Sequence, residues 1–354
     1  MTIKVLGYAA KSSTTPLAPL QIERRVTRPD DVEIEILYCG VCHSDLHQAR
    51  NDWGGSVYPV VPGHEIIGRV SNVGSAVSRF KIGDSVGVGC MVDSCRNCSA
   101  CKQGLEQYCE QFPTYTYNGT DRHDGMPTYG GYSEKIIVSD AFVVKIPDGL
   151  DPKGAAPLLC AGITTWSPLA HWKIGKGNKV AVIGLGGLGH MAIKFAKALG
   201  AEVTLFTRTK GKEEDAKRLG ADRVVFSTNI EQMSRVTGQF DLIIDTVPSI
   251  HDLNPYLPTL SLNGTIVLVG YLGGLEPVLN TVPLIMGRKS VAGSVIGGIA
   301  ETQEMLDFCG KHGITSDVEV IPIQKINEAY ERMLESDVKY RFVIDIASLK
   351  ESRV

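Results

Sequence analysis

The chain has 354 residues, 43% of them hydrophobic and 21% charged, with a formal net charge of -3. That length suits two domains of roughly 150 residues each, and the ordinary apolar content excludes a disordered chain. The near balance of charge leaves no footprint for nucleic acid or an anionic membrane, and no run of ~18 apolar residues offers a membrane span.

From the N-terminus, Met1 to Thr15 shows no basic region followed by an apolar stretch, so no signal peptide is expected. The first ~150 residues hold short β-type runs punctuated by glycine and proline. Val32 to Leu37 alternates at period two, as do parts of Ile66 to Val73 and Ser85 to Val88. These predict an antiparallel, barrel-like β domain. Past residue 155 the rhythm changes to Lys179 to Ile183 (strand), a glycine turn, a helix to Leu199, then Val203 to Phe206 (strand). Lys212 to Leu219 (helix) and strands at Val224 to Phe226, Leu242 to Asp245, Thr265 to Val269 and Val291 to Val295 continue it. Such alternation predicts a doubly wound parallel sheet. Helices at Glu301 to Cys309 and Ile326 to Leu334 and a strand at Arg341 to Ile346 form a tail too short for a domain, which is expected to complete the N-terminal one.

Nine cysteines fit metal ligation and free thiols in a reducing compartment, the cytoplasm, better than a disulfide framework. Cys95, Cys98, Cys101 and Cys109 have the spacing C-x2-C-x2-C-x7-C of a closed tetrahedral zinc site. Four sulfurs leave no open position, so this zinc is structural. Cys39, Cys90 and Cys309 lie outside any ligand spacing and read as small buried apolar residues.

Gly184-Leu185-Gly186-Gly187-Leu188-Gly189 follows a strand and opens a helix, the context in which G-x-G-x-x-G binds a dinucleotide pyrophosphate. The next strand runs into Thr207-Arg208-Thr209-Lys210-Gly211-Lys212, where a carboxylate for the NAD ribose would stand. Hydroxyls on Thr207 and Thr209 with the cations Arg208 and Lys212 suit a 2′-phosphate, which predicts NADP(H).

Cys42, His64 and Cys160 each read singly as packed residues. Together they make a Cys2His set with a fourth position for water or substrate, as a catalytic zinc requires. Two zinc ions per chain are therefore expected.

The motifs GVCHSDLH (Gly40 to His47), PGHE (Pro62 to Glu65), the four-cysteine loop, APLLCAGIT (Ala156 to Thr164), GLGGLGH (Gly184 to His190) and DVKYRFVID (Asp337 to Asp345) occur in order. With them the chain resembles, over essentially its whole length, the zinc-dependent medium-chain alcohol dehydrogenases of cinnamyl-alcohol-dehydrogenase type. The resemblance implies a GroES-like β-barrel catalytic domain (residues 1–154 and 294–354), a Rossmann NADP-binding domain (155–293) and a homodimer. It implies Cys42, His64 and Cys160 as catalytic zinc ligands, with Glu65 approaching the metal during exchange of water and substrate. Asp45 would orient His64, and Ser44, also at the cofactor, would relay the alcohol proton with His47. Thr164, Thr246, Gly270, Ser294, Val295 and Ile296 match positions at the nicotinamide half.

The implied activity is the interconversion of primary alcohols and aldehydes with NADP(H). Trp53, Tyr115 and Val295 are expected to line the substrate pocket. Relatives from plants resemble Trp-Ser-Tyr-Asn where this chain has Tyr115-Thr116-Tyr117-Asn118, and often place Phe at Val295. The smaller residues favour a broad-range reductase of aromatic and medium aliphatic aldehydes over a dedicated cinnamyl alcohol dehydrogenase. A zinc-free quinone or enone reductase would not need the Cys2His set, and a zinc-stabilised binding module would not need the dinucleotide turn.

Overall fold

The computed structural model describes residues 2–270 and 273–352. It divides into two compact units, Met1–Ile163 with Gly297–Val354, and Thr164–Ile296.

The first unit is built on a seven-stranded sheet in the order Val318–Pro322, Arg341–Asp345, Asp31–Val41, Ile66–Val73, Ser85–Val88, Val144–Lys145, with Lys135–Ser139 also pairing on Asp31–Val41. The period-two alternation survives in space: Ile34 and Ile36 are buried while Glu35 between them is exposed. All pairings along the central strand are antiparallel, and the tail returns as expected, with Phe342 opposite Val41 and Val343 opposite Gly40. That register brings Arg341 to the end of the central strand, where the chain turns into Cys42.

Several elements of this unit lie outside the predicted ones, among them the strands Lys135–Ser139 and Val318–Pro322. Thr2–Ala9 and Ala18–Arg25 form an antiparallel hairpin, and His43–Arg50 is a helix. The helix hides from periodicity because only Asp45, Leu46 and Ala49 of it are buried.

The second unit is a six-stranded parallel sheet in the order Arg223–Phe226, Glu202–Thr207, Lys179–Ile183, Phe240–Asp245, Leu260–Leu268, Ser290–Gly293. In sequence terms the order is 3-2-1-4-5-6, the doubly wound arrangement in which ligands bind beyond the carboxyl ends of strands one and four. Lys179–Ile183 and Phe240–Asp245 are those strands, with Ile183 opposite Asp245. Beneath them Phe206 packs edge-on against Phe240 and Tyr256, each at 5.3 Å between ring centres. The helix expected from Lys212 begins one residue later, at Glu213, after a 3₁₀ turn over Lys210–Lys212. Among the described residues, no helix is long and apolar enough to cross a membrane.

Candidate active site and metal centres

The first cluster is organised by one buried carboxylate. Cys42 caps the helix His43–Arg50 in an extended conformation, and its N–H donates to Asp45 Oδ2 at 2.8 Å. The other oxygen, Oδ1, takes the Gly63 N–H at 2.9 Å and lies 3.1 Å from His64 Nδ1. The Tyr132 hydroxyl donates to Oδ2 at 3.2 Å. Asp45 is fully buried, and these four contacts saturate it. A carboxylate at Nδ1 favours the proton there and leaves His64 Nε2 as a metal ligand.

Around Nε2 the chain gathers Cys42, Cys160 and Glu65, whose ligand atoms all lie within 4.8 Å of one another. The Cys42 and Cys160 sulfurs are 3.9 Å apart. Sulfurs at ~2.3 Å from a tetrahedral zinc stand about 3.8 Å apart, so the pair fits that ion. Glu65 pairs through Oε1 with Arg341, while its Oε2 is buried without a hydrogen-bond partner. An orphaned carboxylate oxygen beside two thiols and an imidazole is a cation's donor set. Glu65 is held close by the backbone: a Cβ at Gly40 would stand 1.8 Å from Oε2.

The electrostatics agree. The hydrogen bond between Cys42 and Cys160 holds the first thiol well below its ordinary value and lifts the second well above it. Burial lifts the Glu65 carboxyl to about 8, against the pull of Arg341. Burial would lower the His64 imidazole, but the charge and hydrogen bond of Asp45 together with the neighbouring thiols Cys90 and Cys42 outweigh it and raise the group well above its usual range.

Ser44 Oγ lies 3.6 Å from Cys42 Sγ. His47 places Nδ1 2.8 Å from Asp52 Oδ2, and its ring lies 5.2 Å from that of Trp53. Trp53 and Tyr115 in this unit, and Val295 in the other, are all about half exposed (46%, 49% and 48%). Arg341, Asp52 and Tyr117, whose hydroxyl is 3.2 Å from His64 Nδ1, were not singled out from sequence. Arg341 carried a signal, a lone cation opening an apolar strand. Cys39 and Cys309 are buried, but Cys90 corrects the reading of a buried apolar thiol: it is only partly buried, its sulfur lies 3.9 Å from the Leu159 carbonyl oxygen, and the neighbouring Cys160 thiol lowers its pKa. It reaches that segment by following the strand Ser85–Val88.

The second cluster is local. The sulfurs of Cys95, Cys98, Cys101 and Cys109 also lie within 4.8 Å of one another, with Cys95 and Cys101 at 3.9 Å. Backbone N–H groups of Cys95, Cys98 and Cys101 point at sulfurs of the same set at 3.4, 3.3 and 3.5 Å. The Cys101 N–H, with that of Glu110, holds the Cys98 thiol down to about 6, whereas burial pushes Cys101 up to about 12. Four converging sulfurs, one already favouring thiolate, fit a closed zinc site.

In the second unit the glycine turn sits directly beyond Lys179–Ile183. Gly184 has φ +89°, a Cβ at Gly189 would strike Gly184 O at 2.1 Å, and a Cβ at Gly186 would meet nothing of the chain. The outer two glycines are thus required by the fold and the middle one leaves room for a ligand, as a pyrophosphate needs. Leu185 is buried, and Gly187 and Leu188 lead into the helix Gly189–Ala198. Lys212 Nζ reaches back to Leu185 O at 2.9 Å. Thr207 ends its strand and accepts the Thr209 N–H at 3.1 Å, and Arg208 is exposed with no ion pair among the described residues. Thr164 and Thr246 are buried, and Thr246 Oγ1 donates to Ile183 O at 2.7 Å. Gly270 and Ser294 follow the strands Leu260–Leu268 and Ser290–Gly293, and Ser294 N donates to Leu268 O at 3.1 Å. Ile296, beyond Val295, has φ +39°, a left-handed conformation unusual for a β-branched residue and typical of functional sites.

Comparison with known proteins gives a consistent picture. Residues 28–148 match the alcohol dehydrogenase GroES-like domain, and residues 187–311 match the zinc-binding dehydrogenase family. The chain is 53% identical to aldehyde reductase YahK of Escherichia coli, over 99% of this chain and 100% of that one. Among solved structures it is similar to the cinnamyl alcohol dehydrogenase SbCAD4 of Sorghum bicolor (TM-score 0.93, 46% identity, 98% of each chain). It is also similar to a cinnamyl alcohol dehydrogenase (CAD) of Helicobacter pylori solved with NADP(H) (TM-score 0.91, 43% identity, 98% of this chain and 99% of that one).

Proposed function

The chain belongs to the zinc-dependent medium-chain alcohol dehydrogenases of cinnamyl-alcohol-dehydrogenase type, and on that premise we propose that it is a broad-range NADPH-dependent reductase of aromatic and medium aliphatic aldehydes. The observation that carries the reading is the convergence of Cys42, His64 and Cys160, with the spare oxygen of Glu65 beside them. Bound zinc supplies a Lewis acid to the carbonyl oxygen and bound NADPH supplies the hydride.

The chain's own groups do the rest. Asp45 fixes the tautomer and angle of His64. Arg341 pairs with Glu65 through Oε1 and leaves Oε2 free of hydrogen bonds, so that this oxygen would be available as a further donor to a bound zinc. Ser44 hands the proton to the nascent alkoxide and recovers it from His47, whose Nδ1 is engaged by Asp52 and whose Nε2 exchanges with solvent. Cys95, Cys98, Cys101 and Cys109 tie their loop around the structural ion. The 2′-phosphate of NADP(H) is assigned to Thr207, Arg208, Thr209 and Lys212, where no carboxylate stands, and the NADP(H) bound by the similar enzyme from H. pylori supports this.

Substrate breadth rests on Tyr115 and Val295, smaller than the Trp and Phe often found at those positions in related plant enzymes, with Trp53 as a third pocket residue. The unpaired outer edge of Ser290–Gly293, with Ile285 and Met286 exposed next to it, supports pairing with a second copy into a homodimer. Light scattering of the purified protein checks that. Nine unbridged cysteines support a reducing compartment, the cytoplasm.

The deciding experiment is the initial rate of cofactor oxidation over a panel of aldehydes with NADPH and NADH. Turnover of many aldehydes with a strong NADPH preference is the expected result. Turnover of a single phenylpropenal would instead favour a dedicated cinnamyl alcohol dehydrogenase, and no turnover by zinc-loaded protein would refute the substrate class.

A further inference from the structure

One ionisable pair at the carboxyl edge of the parallel sheet has no part in the assignments above. Asp245 ends the strand Phe240–Asp245, level with Ile183 and the glycine turn. It is fully buried, and Oδ1 takes the Val247 N–H at 3.1 Å. Oδ2 lies 3.2 Å from Nε2 of the His251 imidazole, an ion-pair contact, and among the described residues neither atom makes a hydrogen bond.

The other ring nitrogen, Nδ1, lies 2.8 Å from the Ser249 carbonyl oxygen. A carbonyl and a carboxylate both only accept, so a proton on each ring nitrogen suits the group it faces. The surroundings of the ring therefore favour an imidazolium. Its raised pKa, due first to the contact with Asp245, agrees.

The segment that carries His251 lies against the cofactor turn: the Val247 side chain comes within 3.1 Å of where Gly184 would bear a Cβ. Tyr256, five residues beyond His251, packs its ring 5.3 Å from that of Phe206, two residues before Arg208, and the charge of Arg208 disfavours that of His251. The groups facing His251 are thus Asp245 from the strand before it and Arg208 from the neighbouring loop, with Tyr256 and Asp252 on its own segment in the same field. Two adjacent cations, one without a carboxylate of its own, are a receptor for an anion.

We propose that the His251 imidazolium, anchored by Asp245, is a second cation beside Arg208 in the subsite for the 2′-phosphate of NADP(H). The assignment rests on the NADP(H) reading above. It makes selection of the phosphorylated cofactor pH-dependent, because the imidazolium is lost as pH rises while the phosphate, with a second pKa near ~6, stays a dianion.

The test is calorimetric binding to the zinc-loaded full chain between about pH 6.5 and 8.5, chosen to lie above the phosphate pKa. The probes are adenosine 2′,5′-bisphosphate, ADP, NADPH and NADH. In wild type, the affinities for the 2′-phosphorylated probes should fall with rising pH while those for ADP and NADH stay level. His251→Gln keeps a neutral donor towards Asp245. It should weaken the 2′-phosphorylated probes by about tenfold at the low end, flatten their pH profile and leave ADP and NADH unchanged. Equal weakening of all four probes, or none, overturns the role of His251. Loss of discrimination in Arg208→Ala alone overturns the proposal but keeps the NADP(H) reading. Wild type that binds NADH as tightly as NADPH overturns both. Proton resonances of the histidines give a second measure that needs no variant. One imidazole should titrate at higher pH when the 2′,5′-bisphosphate is added and not when ADP is added, and the absence of such a shift counts against the proposal.

Discussion

Replacing Asp45 with Asn tests the central construction of the metal site with almost no change of shape. Asp45 accepts from Cys42 N, Gly63 N, His64 Nδ1 and the Tyr132 hydroxyl, two contacts on each oxygen. An Asn can present its carbonyl to one pair only, so its amide must face the other. If the carbonyl keeps Gly63 and His64, the amide meets the Cys42 N–H, donor against donor, while Tyr132 can turn its hydroxyl to accept. One charge-assisted backbone bond is lost outright, worth about 1.5–3 kcal/mol, and the imidazolate-like push on His64 goes with the charge. Loss of such a supporting carboxylate lowers metal affinity by about 10–100-fold. Titration of the holoprotein with a chromogenic chelator should therefore release one zinc at roughly 10–100-fold lower chelator than in wild type, with the second unmoved. Release of both ions as in wild type, with unchanged resistance to urea, would refute the account of Asp45.

Further outcomes follow from other parts of the molecule. Cys101→Ala opens the closed sulfur set, so the purified protein should hold one zinc instead of two and be cut by protease within the 95–109 loop. An intact loop would speak against that site. Arg208→Ala should weaken NADPH by at least about tenfold and leave NADH unchanged in fluorescence titrations, because only the phosphate contact is removed. Equal losses would point to a folding role. Asp121 is raised by burial but pulled further the other way by Arg28 and Arg25, which hold it down to about 2. Its contribution to stability is therefore present above its unfolded pKa of ~3.9 and lost as pH falls towards 2. Asp121→Asn should lower stability at pH 7 and flatten the acid limb of a urea-stability profile between about pH 4 and 2, so that the two proteins converge as pH approaches 2. An unaltered acid limb would show that the Arg network adds nothing.

What the sequence made legible divides by separation along the chain. The structural cluster spans Cys95 to Cys109, and the glycine turn spans Gly184 to Gly189, so spacing alone exposes both. The parallel strands were readable because burial on both faces leaves continuous apolar runs such as Val180 to Ile183. The catalytic set is different, since Cys42, His64 and Cys160 come from distant segments whose meeting depends on the sheet. Family resemblance bridged that distance where periodicity could not. Arg341 shows the limit: it meets Glu65 only because the returning strand pairs beside Asp31–Val41, a register fixed by packing over the whole unit. The partly buried thiol of Cys90 and the pair of Asp245 with His251 have no spacing rule at all and became visible only in three dimensions.

The tail strand also sets a schedule for the ribosome. Residues 164–296 form a contiguous unit that can fold as soon as it emerges. By contrast, Arg341–Asp345 is the immediate neighbour of the central strand Asp31–Val41 and brings the ion-pair partner of Glu65. All the ligands up to Cys160 are made before it, and at about 5–20 residues per second the interval is on the order of 10–40 s. For that time the nascent chain holds an unpaired carboxylate, clustered thiols and an uncovered sheet edge. The ligands are therefore made well before the strand that completes their surroundings, and the site matures only once residues 341–345 have been added.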